Sequence, residues 1–137
     1  MTRHVVANVA DVPAGGRLRV MVGKRPLCLF NIAGEFFALN DRCPHEGASL
    51  ADGNISGIVE SDRPGHYRLC RRGEMIKCPW HGWEFDIRTG QSWSDPDRTR
   101  VRAYDAEAVG GAELEKGPFV AETIPVEIDG AYVVVEL

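Results

Sequence analysis

Two short cysteine–histidine pairs constrain this chain more than any other feature of its sequence. One residue separates Cys43 from His45, and two residues separate Cys78 from His81. Each pair lies in a stretch containing proline and glycine, which restrict or free the backbone of a tight loop. Because residues 46–77 separate the pairs, the fold must bring two distant loops together before their side chains can share one site.

Size and charge exclude several classes of protein. The chain has 137 residues, of which 44% are hydrophobic and 26% charged, so we expect one domain spanning residues 1–137. The net charge is −4 without a basic block, so binding to nucleic acid or to an anionic membrane is not expected. No signal peptide or membrane-spanning run is visible, and we therefore predict a soluble, cytoplasmic protein.

Most segments are short apolar runs with turn residues between them, which predicts an all-β fold of antiparallel sheets. Basic and apolar side chains alternate from Arg17 to Val22, as in an edge strand. The runs 26–32 and 35–39 flank Ala33-Gly34 and predict a hairpin. Evidence for helices is thin.

The middle of the chain predicts further strands at residues 55–59, 67–70 and 75–77, with a turn at 71–73 between the last two. Another extended segment, 84–87, ends before Thr89-Gly90.

Near the C-terminus, Asp129-Gly130 lies between the apolar runs 123–128 and 131–136, which is a strong hairpin signal. Before it, residues 105–109 and 112–116 could each form a helical turn or two. The segment 105–119 as a whole resembles an insertion before this hairpin.

Two thiolates and two imidazoles fit two metal chemistries. One is tetrahedral zinc. The other is a 2Fe–2S cluster in which two histidines replace two cysteines on one iron. Zinc motifs usually pair cysteine with cysteine, whereas here each loop supplies one ligand of each type, which favours the cluster and leaves zinc open. Two disulfides among the four cysteines are a weaker alternative in a chain without an export signal.

The two motifs read Cys-Pro-His-Glu-Gly-Ala at 43–48 and Cys-Pro-Trp-His-Gly-Trp-Glu-Phe-Asp at 78–86. They resemble the cluster loops of Rieske ferredoxins and of the Rieske domains of ring-hydroxylating oxygenases. The resemblance is dense through residues 36–50 and 75–104. It implies stacked antiparallel sheets and a small cluster-binding subdomain made of two loops, within about residues 40–97.

The resemblance also implies a role for each loop residue and one 2Fe–2S cluster per chain. Cys43 and Cys78 would bind the inner iron, and His45 and His81 the outer iron. The residues expected around the cluster are Pro44, Gly47, Trp80, Gly82, Trp83, Phe85 and, in a covering loop at 92–96, Pro96.

Three positions indicate the subtype that the chain resembles. High-potential Rieske proteins carry an additional disulfide, whose cysteines would stand at Ala48 and Trp80. They also place a serine and a tyrosine where this chain has Trp83 and Phe85. Hydroxyl groups near the cluster stabilise its reduced form. We therefore expect a reduction potential toward the low end of the Rieske range, roughly −150 to +300 mV.

The function implied by the resemblance is electron transfer. The chain would take single electrons from a flavin-dependent reductase and pass them to a terminal oxygenase in transient encounters, as a monomer. It would not be catalytic by itself, because 137 residues leave no room for a mononuclear iron domain. Two alternatives stay open: a small Rieske subunit of another oxidoreductase, of the nitrite reductase type, and a zinc-binding structural module.

The remaining cysteines and histidines have simpler interpretations. We expect Cys28, in an apolar strand, to be a small buried hydrophobic residue. Cys70 could be a reactive thiol, whereas His4 and His66 are expected at the surface. The basic segment 60–77 is interpreted as a solvated hairpin, with a docking surface for an acidic partner as the alternative.

Overall fold

The computed structural model describes residues 3–42, 49–79, 83–92, 100–111, 121–122 and 130–136, with the backbone alone at 56–63, 66–72 and 121–122. The strands in these residues are β1 (Arg3–Asn8), β2 (Arg17–Val22), β3 (Arg25–Ile32), β4 (Glu35–Asn40), β5 (Asn54–Arg63), β6 (His66–Lys77), β7 (Glu84–Asp86), β8 (Ala103–Gly110), β9 (Ala121–Glu122) and β10 (Ala131–Glu136). Short 3-10 turns occupy Val9–Asp11 and Leu50–Asp52.

The strands form two sheets. The larger has the order β2-β3-β4-β8-β10-β1-β9, and the smaller has the order β5-β6-β7. Neighbouring strands are antiparallel except for β1 and β9. The predicted all-β fold of antiparallel sheets is therefore confirmed. Among the described residues, no helix is long and apolar enough to span a membrane.

The hairpin predicted at Ala33-Gly34 is confirmed. Ile32 pairs with Glu35, which leaves a two-residue turn. Ala33 and Gly34 both have positive φ angles, 52° and 93°, as a type I′ turn requires. The side chain of Asn31 accepts a hydrogen bond from the Gly34 N–H and donates one to the carbonyl of Val12. These bonds attach the turn to the preceding loop.

The edge strand predicted at 17–22 is confirmed as β2, which ends the larger sheet. Leu18, Val20 and Val22 pack into the core beneath the sheet. The alternate positions Arg17, Arg19 and Met21 lie on the opposite face, because successive side chains of a strand point to opposite sides. On this face, Arg17 donates a hydrogen bond to the carbonyl of Ala51, in the 3-10 turn that precedes β5.

The helical turn expected at 105–109 is wrong, because these residues belong to β8. Alanine and glutamate are good helix formers, but residues 105–110 pair with β10, and β8 also pairs with β4 at residues 103–105. Long-range pairing overrides a weak local preference. Residues 105–110 are therefore part of a strand, while residues 112–119 lie outside the described part of the chain, so the insertion expected at 105–119 stays a prediction.

The turn expected at 71–73 is also wrong, because β6 continues through it. The pairing steps from Ser56–Met75 to Ile58–Cys70, so β6 carries extra residues at this point. Gly73 takes a φ of 79° there. The residues that favour a turn at 71–73 therefore form a β-bulge within β6. The β5–β6 hairpin that contains it agrees with the hairpin expected in the segment 60–77.

The last strand, β10, confirms the run predicted at 131–136. Its two sides are occupied by β8 and β1. These are not the strand expected across the Asp129-Gly130 turn, so the predicted pairing is wrong along β10. Residues 123–129 themselves lie outside the described part of the chain.

Two apolar clusters lie on opposite faces of β3 and β4. The one beneath the larger sheet is formed mainly by Val6, Val12, Val22, Leu27, Leu29, Phe36, Ala38, Val133 and Val135. The one between the sheets is formed by Cys28, Phe30, Leu39, Leu50, Ile76, Cys78, Phe85, Ile87 and Val101. Because β3 and β4 are buried on both faces, they are nearly continuous apolar runs.

Arg88 connects the two sheets at their border. Its Nε atom lies 2.9 Å from a carboxylate oxygen of Glu74 on β6. A second guanidinium nitrogen lies 3.5 Å from Glu35 on β4, and the group stands 5.0 Å above the ring of Phe37. One side chain thus combines ion pairing and cation–π contact across the junction.

Candidate metal centre

The second Cys/His motif begins where the pairing of β6 with β7 ends. Lys77 pairs with Glu84, and the N–H of Cys78 donates a 2.8 Å hydrogen bond to the carbonyl of Trp83. Cys78 therefore directly follows the last paired residue of β6, and Trp83 directly precedes the first paired residue of β7. The pairing holds Cys78 and Trp83 in place.

Cys78 is a free cysteine that is only 2% exposed. It belongs to the apolar cluster between the sheets. Phe85 is fully buried in the same cluster, and Trp83 is half-buried against it. Neither side chain offers a hydroxyl group, and their packing around a bound cluster stays a prediction.

The first motif emerges from a base that is attached to the larger sheet. The N–H of Asn40 donates to the carbonyl of Arg102 (2.9 Å), and that of Asp41 donates to the carbonyl of Pro26 (2.8 Å). Beyond the motif, Leu50 is fully buried in the cluster that contains Cys78. Both ends of the 43–48 segment are therefore anchored in the fold.

The covering loop expected near Pro96 also has a defined base. Ser92 is fully buried and forms a bridge with Phe85, and Gln91 forms one with Arg100. The N–H of Val101 donates a 2.8 Å hydrogen bond to the carbonyl of Gly90, and Val101 packs in the same apolar cluster. The bases of all three predicted loops thus meet at one cluster.

Gly53 lies where the exit of the first motif crosses the start of the second. A Cβ atom at this position would overlap the carbonyl oxygen of Lys77, the residue before Cys78. Only glycine permits such a close backbone approach. The chain just after the first motif and the chain just before the second are therefore in close backbone contact.

The predicted site residues differ in how the structure bears on them. Cys78, Trp83 and Phe85 are described, and they lie together. Cys43, Pro44, His45, Gly47, Trp80, His81, Gly82 and Pro96 lie outside the described residues. Among the described residues there is no group of three or more His, Cys, Asp or Glu side chains that could hold a metal ion. The four-ligand set therefore stays a prediction.

The thiol of Cys78 nevertheless fits an iron–sulfur centre. Cysteine thiolate is the ligand that such clusters use, and Cys78 supplies a free thiol at a loop tip, surrounded by apolar side chains. Burial of a thiolate without a compensating charge is costly, and a bound metal provides that compensation.

Cys28 provides the contrast within the same apolar cluster. It is fully buried in the interior of β3, which confirms the prediction of a small buried hydrophobic residue. Burial raises the pKa of the Cys28 thiol, the Asp41 carboxylate raises it further, and Arg17 partly opposes the rise. The thiol is therefore neutral near pH 7.

Sequence reasoning missed Asp41, a fully buried carboxylate at the base of the first motif. It accepts hydrogen bonds from the Ser49 hydroxyl and the Ala51 N–H, and it pairs with Arg19. The available signal was an aspartate directly after a strand, a position where such side chains often bond to nearby backbone groups. Gly53 was missed as well, since its contact with Lys77 depends on residues distant in sequence.

The remaining expectations concern residues outside the motifs. His4 lies half-buried in β1 and is less exposed than expected. The side chains of His66 and Cys70 lie outside the described set, as do those of Arg63, Arg68, Arg71 and Arg72, so the docking alternative for 60–77 stays a prediction. The Nζ atom of Lys77, at the end of that segment, lies 3.8 Å from the Oε1 atom of Glu84.

Comparisons with known proteins agree with this arrangement. The family model of the Rieske 2Fe-2S domain matches residues 2–105. The 3-phenylpropionate/cinnamic acid dioxygenase ferredoxin subunit of Escherichia coli (strain K12) is 33% identical over 81% of this chain and 90% of its own length.

Solved structures show the same fold. Sphingomonas yanoikuyae B1 ferredoxin has 25% identity and a TM-score of 0.59, with 94% of each chain covered. A chain in the complex of reduced oxygenase and oxidized ferredoxin in carbazole 1,9a-dioxygenase has 26% identity and a TM-score of 0.60, covering 96% of this chain and 91% of that one.

Proposed function

Because the chain belongs to the Rieske 2Fe-2S domain family, we propose that it is a low-potential electron carrier. It takes single electrons from a flavin-dependent reductase and passes them to a Rieske-type oxygenase. Its cofactor is one Rieske-type 2Fe–2S cluster. The chain acts as a component of an oxidoreductase system and does not carry out the oxygenation itself.

One observation carries this proposal. The similarity to a dioxygenase ferredoxin subunit extends over 90% of that protein's length, so the match includes the scaffold as well as the two motifs. A related ferredoxin forms a complex with its oxygenase, which supports an oxygenase as the partner of this chain. Such encounters are transient, and we propose a monomeric carrier in the cytoplasm.

The residues proposed to hold the cluster are Cys43, His45, Cys78 and His81. A cluster held by these residues would supply one-electron transfer chemistry at this site. The protein keeps the thiol of Cys78 away from water through the apolar cluster between the sheets. The two imidazoles are proposed to face the partner, where they shorten the path of the electron.

The proposed low potential depends on Trp83 and Phe85. Donors that hydrogen-bond cluster sulfur stabilise the additional negative charge of the reduced state. Phe85 is fully buried and Trp83 packs against the same cluster, so the side chains at these two positions contribute apolar surface in place of hydroxyl donors. Reduction is therefore less favourable, and the electron passes readily to an acceptor.

Absorption and iron analysis of freshly purified protein test the proposal. We expect a brown protein with two iron atoms per chain, as the 2Fe–2S formula requires, and visible absorption that bleaches on addition of dithionite. A flavin-dependent reductase should then reduce the protein, and an acceptor should reoxidise it. A colourless protein loaded with zinc would contradict the proposal.

A further inference from the structure

The carboxylate of Asp41 is fully buried and has three partners within the part of the chain that the structure describes. It accepts a 2.5 Å hydrogen bond from the Ser49 hydroxyl and a 2.7 Å hydrogen bond from the Ala51 N–H. The Nε atom of Arg19 lies 2.8 Å from its Oδ2 atom, and the Asp41 side chain is 0% exposed. Burial of a carboxylate is unfavourable unless it is paired and hydrogen-bonded. This set of donors meets that condition.

These contacts join the two ends of the first cluster loop. Asp41 stands before the 42–48 segment, and Ser49 and Ala51 follow it. One carboxylate therefore closes the base of the loop that carries Cys43 and His45. The closure is made by side-chain contacts, which complement the backbone bonds of Asn40 and Asp41 to the larger sheet.

The positive partner comes from a distant part of the chain. Arg19 lies on the edge strand β2, and its side chain is 55% exposed. Its neighbour on the same face, Arg17, bonds to the carbonyl of Ala51 (2.6 Å). The edge strand thus supplies two arginines to the base of the loop, one of which neutralises Asp41.

Both charges act at short range on the proposed metal site. Covalent geometry keeps the Cα atoms of Asp41 and Cys43 within about 7 Å of each other. This is less than the Debye length of about 8 Å at physiological ionic strength, and screening is weaker still for buried charges. One-electron reduction adds one negative charge at the site, so a nearby carboxylate opposes reduction and a nearby guanidinium favours it.

We propose that Asp41 is a positioning residue for the first cluster loop, and that the Asp41–Arg19 pair balances the charge beside the cluster and thereby tunes its reduction potential. This inference rests on the proposed function, because it requires a bound cluster. It assigns to an exposed arginine of the edge strand a role in electron transfer that its position in the sequence does not indicate.

Redox titration of the purified holoprotein tests the electrostatic part. Arg19→Gln leaves the carboxylate without its positive partner, so we expect a more negative midpoint potential. Asp41→Asn removes the negative charge, so we expect a more positive one. The double variant should return close to wild type. Arg25→Gln changes an exposed arginine on the neighbouring strand and should shift the potential least. Shifts of the same sign in both single variants, or no shift in either, would overturn the proposal.

Cluster retention tests the positioning part. In Asp41→Ala and Ser49→Ala we expect faster loss of iron and an altered electron paramagnetic resonance spectrum of the reduced protein. Asp41→Asn should recover part of the loss in Asp41→Ala, because its carbonyl oxygen can still accept the Ala51 N–H. Wild-type retention and an unchanged spectrum in both alanine variants would refute positioning. If Asp41→Ala does not fold, Ser49→Ala and Arg19→Gln still decide the question.

The wild-type protein separates this proposal from the one on which it rests. A wild type without a cluster would refute the proposed electron carrier, and the present inference with it. A loaded wild type whose variants keep its potential, iron and spectrum would refute only the role of Asp41 and Arg19.

Discussion

Cys28 and Cys78 lie in the same apolar cluster but in two different regions of the molecule. Both are free and almost completely buried. Cys28 is in the interior of β3, hydrogen-bonded between β2 and β4. Cys78 follows the last paired residue of β6, at the start of a hairpin loop. Burial and residue type therefore do not identify a metal ligand, whereas position at the end of a ladder separates these two cysteines.

The difference has a physical basis. In the interior of a sheet, neighbouring strands occupy both sides of the backbone, and a cofactor cannot approach it. At Cys78, by contrast, the pairing of β6 with β7 ends, so the cysteine stands at the end of a ladder, where a cofactor can approach. The same apolar side chains serve both regions: they make Cys28 part of the hydrophobic core and keep water from Cys78.

Substitution of the two cysteines should separate the regions most strongly. In Cys78→Ser we expect loss of nearly all bound iron and of the visible absorption, because the proposed inner iron loses a thiolate. Cys28→Ala should keep both, with a modest loss of stability from the smaller side chain. Iron analysis and absorption spectra measure the outcome. Equal iron content in the two variants would contradict the prediction that Cys78 binds iron and Cys28 does not.

Gly53→Ala should disturb the Cys78 region next most strongly. The added methyl group would overlap the carbonyl of Lys77, and we expect a loss of about 3 kcal/mol in the free energy of unfolding. The matched control is Gly110→Ala in the larger sheet, where a Cβ atom meets nothing within 4 Å. Denaturant unfolding monitored by circular dichroism compares them. Similar losses in both variants would mean that the crossing near Cys78 is not tight.

Arg88→Ala should weaken the junction between the two regions. The variant loses the contacts with Glu74, Glu35 and Phe37. We therefore expect its free energy of unfolding to fall by about 1–2 kcal/mol. The control Arg3→Ala breaks an exposed ion pair with Glu107 and should cost less than about 0.5 kcal/mol. Thermal unfolding of both variants checks the order, and the reverse order would contradict a special role for the junction.

The smallest expected effect concerns alkaline pH. Burial, followed by the Asp41 carboxylate, raises the pKa of Cys28 above its ordinary value of 9.0, so the folded protein keeps a proton that the unfolded chain releases. This contribution is present below pH 9 and is lost progressively above it. Between about pH 8 and 10, the loss of this contribution should lower the free energy of unfolding by about 1 kcal/mol.

Cys28→Ala tests this explanation, since the variant lacks the titrating thiol. Its free energy of unfolding should fall less over this pH interval than that of the wild type, as measured by denaturant unfolding at each pH. Parallel pH profiles would contradict the proposed cause.

Local patterns in the sequence predicted the elements that local physics controls. The Ala33-Gly34 hairpin was predictable because a two-residue turn restricts its own φ angles. The edge strand at 17–22 was predictable because alternation of basic and apolar residues indicates a strand with one buried face. The motif spacing likewise indicated the cofactor class, because the choice of thiolate and imidazole follows from ligand chemistry.

The errors occurred where long-range pairing decides the structure. Residues 105–109 have helix-forming composition but belong to β8, where they pair with β10. The turn signal at 71–73 becomes a bulge because β6 stays paired with β5 around it. In both segments the local preference is a fraction of a kcal/mol per residue, which several ladder hydrogen bonds outweigh.

The sequence by itself determined the two Cys/His pairs, the cluster chemistry that they favour and most of the strands. Only the tertiary structure decided that Cys78 ends a ladder while Cys28 lies within one. It also decided that Gly53 must pass Lys77 and that Arg19 reaches Asp41. These relations join residues far apart in the chain. They follow from which backbones become neighbours, and no local pattern contains that information.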